Sequence, residues 1–86
     1  MNINELIIIV KKKIENNISC DKIDIEDKTF LHKNHQNHDN KKFHIKIIIK
    51  SLSLKKINKI ESNKIIYKIL SKELKEFIHS IQISIN

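Results

Sequence analysis

Three stretches of the chain alternate apolar and polar residues with a period of two, the pattern of half-buried strands. The first is Lys22-Ile23-Asp24-Ile25-Glu26. The second runs from Phe43 to Lys50, with Phe43, Ile45, Ile47 and Ile49 on one face and His44, Lys46 and Lys50 on the other; Ile48 breaks the rule. The third closes the chain from Phe77 to Ile85, where Ile81, Ile83 and Ile85 alternate with Ser80, Gln82 and Ser84. His79 stands at the entrance of this strand, with the same parity as its isoleucines.

Between the strands the period changes to that of a helix. Ile3, Leu6, Ile7, Val10 and Ile14 recur at helical spacing, and Asn2 with Glu5 fits a capping box, so a helix is predicted over 3–16. Residues 27–41 hold His32, His35 and His38 and no apolar periodicity after Leu31, which predicts a long polar loop. Ser51 or Ser53 can cap a short helix with Leu54, Ile57 and Ile60 as its stripe. The polar triplet Glu61-Ser62-Asn63 then predicts a break. Ser62 or Asn63 would cap a further helix, reaching about residue 76, with Ile66, Tyr67, Leu70, Leu74 and Phe77 on one side.

The predicted order is α-β-β-α-α-β over a single domain, 1–86. The first two strands should be antiparallel neighbours joined by the loop. The third returns through a helical crossover and should lie parallel to the second, with right-handed connection. The odd-numbered strand positions can all point one way, and the helices must cover that face. This is an α+β, two-layer domain with a three-stranded mixed sheet and helices on one face.

Composition narrows the function classes. A chain of 86 residues has room for one small core and no deep substrate cavity. Its one cysteine excludes an internal disulfide and a four-thiolate metal site. No apolar run approaches the ~20 residues of a membrane span, and Leu6–Val10 is too short and poorly flanked for a signal peptide. The expectation is an intracellular protein of the cytosol or an organelle matrix. The formal charge is +7, without glycine or proline, and every basic residue is lysine. Coding bias toward isoleucine, lysine and asparagine accounts for much of this, so the charge carries less functional information than its size suggests. No nucleophile–base pair stands at an informative spacing and no phosphate-binding loop is present, so an enzyme is not expected.

The histidines carry the candidate chemistry. On parity alone His79 reads as a half-buried core histidine. His32, His35 and His38, spaced His-x-x-His-x-x-His, read as a solvated polar loop that also suits adventitious zinc or nickel. His44 falls on the open sheet face, where a ligand role is a minor reading.

Four pieces in order carry a resemblance. They are Ile25-Glu26-Asp27-Lys28-Thr29 before a loop histidine, Phe43-His44-Ile45-Lys46-Ile47-Ile48-Ile49-Lys50-Ser51, Asn63 to Leu74 with Tyr67, Leu70 and Glu73-Leu74, and Ile78-His79-Ser80-Ile81. Over nearly its whole length the chain resembles the BolA family, whose pattern has His-Phe-x-Val opening the second strand. The family also has Arg-His-Arg-x-Val-Tyr-x-x-Leu-x-x-Glu-Leu in the last helix and an Ile/Val-His-Ala-Leu strand entrance. The departures are Ser62-Asn63-Lys64 in place of Arg-His-Arg, an Asn/His loop in place of a Pro/Gly-rich one, and no Thr-x-x-Glu-Trp tail.

The resemblance implies a fold related to the class II KH fold. It implies pairing with a monothiol glutaredoxin and a shared [2Fe–2S] cluster, in cluster assembly, transfer or iron regulation. The partner's cysteine and glutathione would supply thiolates. By position His79 would be one imidazole ligand and His32 the other, with His35 the alternate. Alone, the chain would be a monomer without a tightly bound cluster. The resemblance also implies an alternative, a DNA-binding transcriptional regulator. The unit 53–76 resembles a helix-turn-helix made basic by Lys55, Lys56, Lys59, Lys64 and Lys68. Lysines bind phosphate without sequence selection, and without arginine the commonest guanine contact is missing. Without glycine the GXXG loop of KH modules cannot form.

Overall fold

The strand with the longest apolar face becomes the centre of the sheet. A computed structural model describes residues 1–29 and 42–86 and gives three strands in the order β1-β2-β3, with β1 spanning Lys22–Asp27, β2 Phe43–Lys50 and β3 Ile78–Ile85. β1 and β2 pair antiparallel, from Lys22 opposite Lys50 to Asp27 opposite Ile45. β2 and β3 pair parallel, with Ile45 beside Ile81 and Ile49 beside Ile85. A parallel neighbour needs a crossover, and here all the helical chain after β2 supplies it. Most of the predicted loop, 30–41, lies outside the described residues, and His32, His35 and His38 with it.

Helix α1 spans Ile3–Asn17 and forms for the reasons legible in its sequence. The Asn2 side chain accepts a hydrogen bond from the Glu5 N–H at 2.9 Å, and the Asn2 amide reaches the Glu5 carboxylate at 3.2 Å. Leu6, Val10 and Ile14 recur on one side and are completely buried. They meet Ile23, Ile45, Ile47 and Ile49 from the sheet and Ile66 and Leu70 from the crossover in one continuous core. The helices therefore cover the odd-numbered face, as the alternation requires.

The crossover differs from the sequence reading in where it breaks. Helix α2 is one turn, Leu52–Lys55, capped by Ser51. Helix α3 starts at Lys59 and runs to Ile69, and its cap is Asn58, whose side chain accepts from the Glu61 N–H at 2.8 Å. The predicted break at Glu61-Ser62-Asn63 is thus helix interior. Ser62 does not cap; it is buried, and its hydroxyl donates to the Leu54 and Asn58 carbonyls at 3.0 and 3.1 Å. A serine inside a helix can satisfy its hydroxyl on a backbone carbonyl one turn back, and this one also closes the α2–α3 corner. A last change of direction at Leu70 separates α3 from α4, Ser71–Glu76. Ile57, Ile60 and Tyr67, expected in the apolar stripes, are exposed, whereas Leu54, Ile66 and Leu70 hold the core.

One ion pair ties the two ends of the helical layer. Glu73 on α4 is 3% exposed, and both its carboxylate oxygens take the Lys13 ammonium of α1, at 2.8 and 2.7 Å. Removing one partner of such a pair strands the other, at a cost above that of a surface salt bridge. Lys13 is partly solvated, which lowers the penalty. Lys13→Met is expected to lower unfolding stability by about 2 kcal/mol in urea denaturation, while Lys12→Met, on the solvent side of the same helix, leaves it unchanged within error.

Candidate metal centre

The start of β3 departs from simple alternation. Phe43 pairs with Ile78, but the next residue, His44, pairs with Ser80, so His79 is an extra residue in β3. Such a bulge re-aims the side chains around it. Ile78 is buried in the core, the apolar face resumes at Ile81, and His79 and Ser80 between them are both exposed. The parity argument that grouped His79 with the core isoleucines therefore fails. It assumed unbroken alternation, and the bulge shifts it by one residue. The Phe43 N–H donates to the Phe77 carbonyl at 2.9 Å and holds the strand ends together ahead of the bulge.

His44 is the residue that sequence reasoning underrated. It lies on the sheet face away from the helices, as expected, yet on that open face it is only 6% exposed. Its Nδ1 shares a 2.6 Å hydrogen bond with the Ser80 hydroxyl on the adjacent strand. Its ring lies 4.9 Å from that of His79, centroid to centroid, tilted by 49°. Two imidazoles thus meet where β2 and β3 begin, one buried and held, the other at the surface. No spacing rule brings residues 44 and 79 together; a shifted register in a parallel pair does.

The chain leading to the undescribed segment is tied to the same place. The Thr29 hydroxyl accepts from the His44 N–H at 3.2 Å, and the Lys28 N–H donates to the His44 carbonyl at 2.7 Å. Asp27 in turn accepts from the Thr29 N–H at 2.9 Å. The main chain that runs on toward His32 therefore leaves from beside His44. Cys20 takes no part in this centre. It is half-buried between α1 and β1, where burial first, then Glu15 and Asp21, pushes its thiol up from the ordinary range.

The lysines of the alternative reading do not form one surface. All five are exposed. At about 100° per residue, Lys64 and Lys68 stand about 140° and 180° around α3 from Lys59, which shares its side with Ser62 and Ile66. Lys64 also lies 3.8 Å from Glu61. The first helix of the supposed helix-turn-helix is the single turn α2.

Comparison with known proteins agrees with this architecture. A family model described as BolA-like protein matches residues 14–86. The chain belongs to the BolA-like family. The BolA domain of SufE1 from Arabidopsis thaliana superposes with a TM-score of 0.83 at 21% identity, over 99% of this chain and 94% of that one. BolA1 from Arabidopsis thaliana gives 0.77 at 20% identity over 93% and 88%. The solution structure of BolA1 from Mus musculus gives 0.74 at 15% identity over 92% and 62%. No curated protein matches the sequence. At these identities the likeness is one of fold. No helix among the described residues is long and apolar enough to cross a membrane.

Two measurements check this geometry. Ser80→Ala removes the partner of His44 Nδ1 and is expected to shift the ring ¹H and ¹⁵N resonances of both His44 and His79, whereas Gln82→Ala moves neither. With its pKa raised, Cys20 carries less thiolate near neutral pH, so its alkylation by iodoacetamide is expected to be several-fold slower than that of free cysteine.

Proposed function

We propose that this BolA-like protein is a non-enzymatic partner of a monothiol glutaredoxin. In this role it lends His79 and a histidine of the undescribed segment, His32 before His35, to a shared [2Fe–2S] cluster. The observation that carries the reading is the exposed His79 imidazole, turned outward by the bulge and set against a buried, hydrogen-bonded His44. A ligand offered to another protein must be accessible yet oriented, and this pair supplies both properties.

The donor set fits a site completed by a partner. Among the described residues no three His, Cys, Asp or Glu side chains converge to hold a metal ion. Cys20 lies outside the histidine pair, so the thiolates that such clusters require must come from elsewhere. His32 follows Thr29 by three residues, and three residues span at most about 10 Å; Thr29 is bonded to the His44 backbone. His35 is twice as far along the chain, which favours His32. When bound, the cluster supplies one-electron chemistry at a potential that imidazole ligation raises. His79 binds, and His44, held by Ser80, limits the orientations of the His79 ring as a positioning residue.

The test is to mix the protein with a monothiol glutaredoxin and glutathione under reconstitution. A heterodimer is expected whose visible absorption and circular dichroism differ from those of the glutaredoxin alone. His79→Ala is expected to abolish the difference while far-ultraviolet circular dichroism stays native, since the side chain is exposed. His32→Ala weakens it and His38→Ala leaves it intact. His44→Gln keeps the heterodimer but moves the visible dichroic bands. An unaltered holo-spectrum in a folded His79→Ala variant would remove His79 from the site. Duplex DNA bound with sequence preference at high salt would favour the regulator reading instead; binding through exposed lysines alone weakens steeply with salt.

A further inference from the structure

The two outer strands of the sheet are defended differently. An edge strand exposes unpaired N–H and C=O groups and invites another strand, and charged side chains are a common way to prevent it. β1 carries Lys22, Asp24, Glu26 and Asp27. β3 is eight residues, Ile-His-Ser-Ile-Gln-Ile-Ser-Ile, with no lysine, carboxylate or proline, and β2 occupies only one of its sides.

A groove of about 310 Å³ lies against the C-terminal half of that strand. Leu54, Lys55, Ile57, Lys59 and Ser62 of the α2–α3 corner form one wall, and Ile83, Ser84 and Ile85 the other. Ile83 and Ile85 face the helices while Ser84 alternates away, so the groove reaches β3 main chain between two isoleucines. No β2 residue lines it, and among the described residues β3 has a strand neighbour on one side only. Its floor is apolar, with Leu54 buried and Ile57 40% exposed. Its rim is cationic: Lys55 and Lys59 are exposed, no carboxylate lines it, and the ion pairs of the described residues use other lysines.

We propose that the outer edge of β3 and this groove form a docking site for an extended segment of a partner protein, which adds as a fourth strand. The segment seats a β-branched or leucine side chain on Leu54 and Ile57 and places carboxylates, two residues to either side, against Lys55 and Lys59. Main-chain pairing supplies affinity and the pocket and charges supply selection, the logic of strand addition. A second copy of the chain fits poorly. It carries +7 itself, and its other edge, β1, has Ile23 and Ile25 packed on its own core. The site lies at the far end of β3 from His79, roughly 20 Å for six residues of strand, and is independent of the cluster reading.

The probe is a capped peptide, Ser-Glu-Thr-Ile-Thr-Glu-Thr, which presents glutamate, isoleucine and glutamate on one face of an extended chain. Titrated into ¹⁵N-labelled protein, it is expected to shift amides of Ile81–Ile85 and Leu54–Lys59 and to slow exchange of the outward β3 amides. The Lys55→Glu/Lys59→Glu variant is expected to bind at least tenfold more weakly, and a peptide with lysine in place of glutamate not to bind. Absence of shifts at millimolar peptide, shifts elsewhere, or equal binding of the lysine peptide overturns the proposal. So does concentration-dependent dimerisation that protects the same β3 amides, which would make a second copy the occupant. The same footprint from duplex DNA at raised salt would assign the rim to phosphate and overturn it too.

Discussion

The structure depends on β2 being paired on both sides while only one of its faces is apolar enough to bury. A three-stranded sheet in a chain this size has a single interior strand, and its inward residues Ile45, Ile47 and Ile49 are essentially inaccessible. β1 can reach its antiparallel place through the segment that follows it, but β3 is parallel and so must be delivered by chain that crosses the sheet. That chain is helical because it must also cover the isoleucine face. Burial of one face thus sets the topology, and the topology sets which residues lie beside the start of β2.

The helical layer is held to itself as well as to the sheet. Ser51, at the end of β2, donates to the Ser19 carbonyl at 2.8 Å and accepts from the Leu54 N–H, so one hydroxyl fixes the turn before β1 and starts α2. Ser62 closes the α2–α3 corner, and the Glu73–Lys13 pair joins the last helix to the first. Each is a buried polar group whose partner comes from a different element, and burying it without that partner would cost about 1–3 kcal/mol. Such groups make the placement of short helices specific where apolar area alone would tolerate sliding.

The same logic extends to the histidines. A bulge costs a ladder position but frees a side chain from alternation, and here it turns His79 outward between buried Ile78 and core-packed Ile81. His44, on the neighbouring strand, is held through Ser80, and the chain beyond β1 is anchored to its backbone through Thr29 and Lys28. One register shift therefore collects two imidazoles and the departure point of a histidine-bearing segment within a few residues of each other. β3 carries no charged side chain beyond this point, and among the described residues it pairs with β2 alone.

The sequence by itself determined the kinds of elements and their order. The period-two runs are read directly as strands because each buries one face, and the Asn2–Glu5 cap and the apolar stripe of α1 mark the first helix. The parallel placement of β3 followed from the helical chain between it and β2. The helix breaks were less legible: the polar triplet points to Ser62 or Asn63 as the cap, whereas Asn58 caps α3 and the Ser62 hydroxyl is taken up by the Leu54 carbonyl in the packed corner. Likewise the five lysines of the crossover look alike in sequence, but helical azimuth separates Lys59, at the groove, from Lys64 and Lys68 on the opposite side. The histidine pair belonged wholly to the tertiary structure. Alternation predicts the facing of a side chain only while the ladder is regular, and a one-residue bulge between residues 78 and 80 reverses it. Which strand neighbour His44 meets is then set by inter-strand register, a property of the assembled sheet that no local pattern encodes.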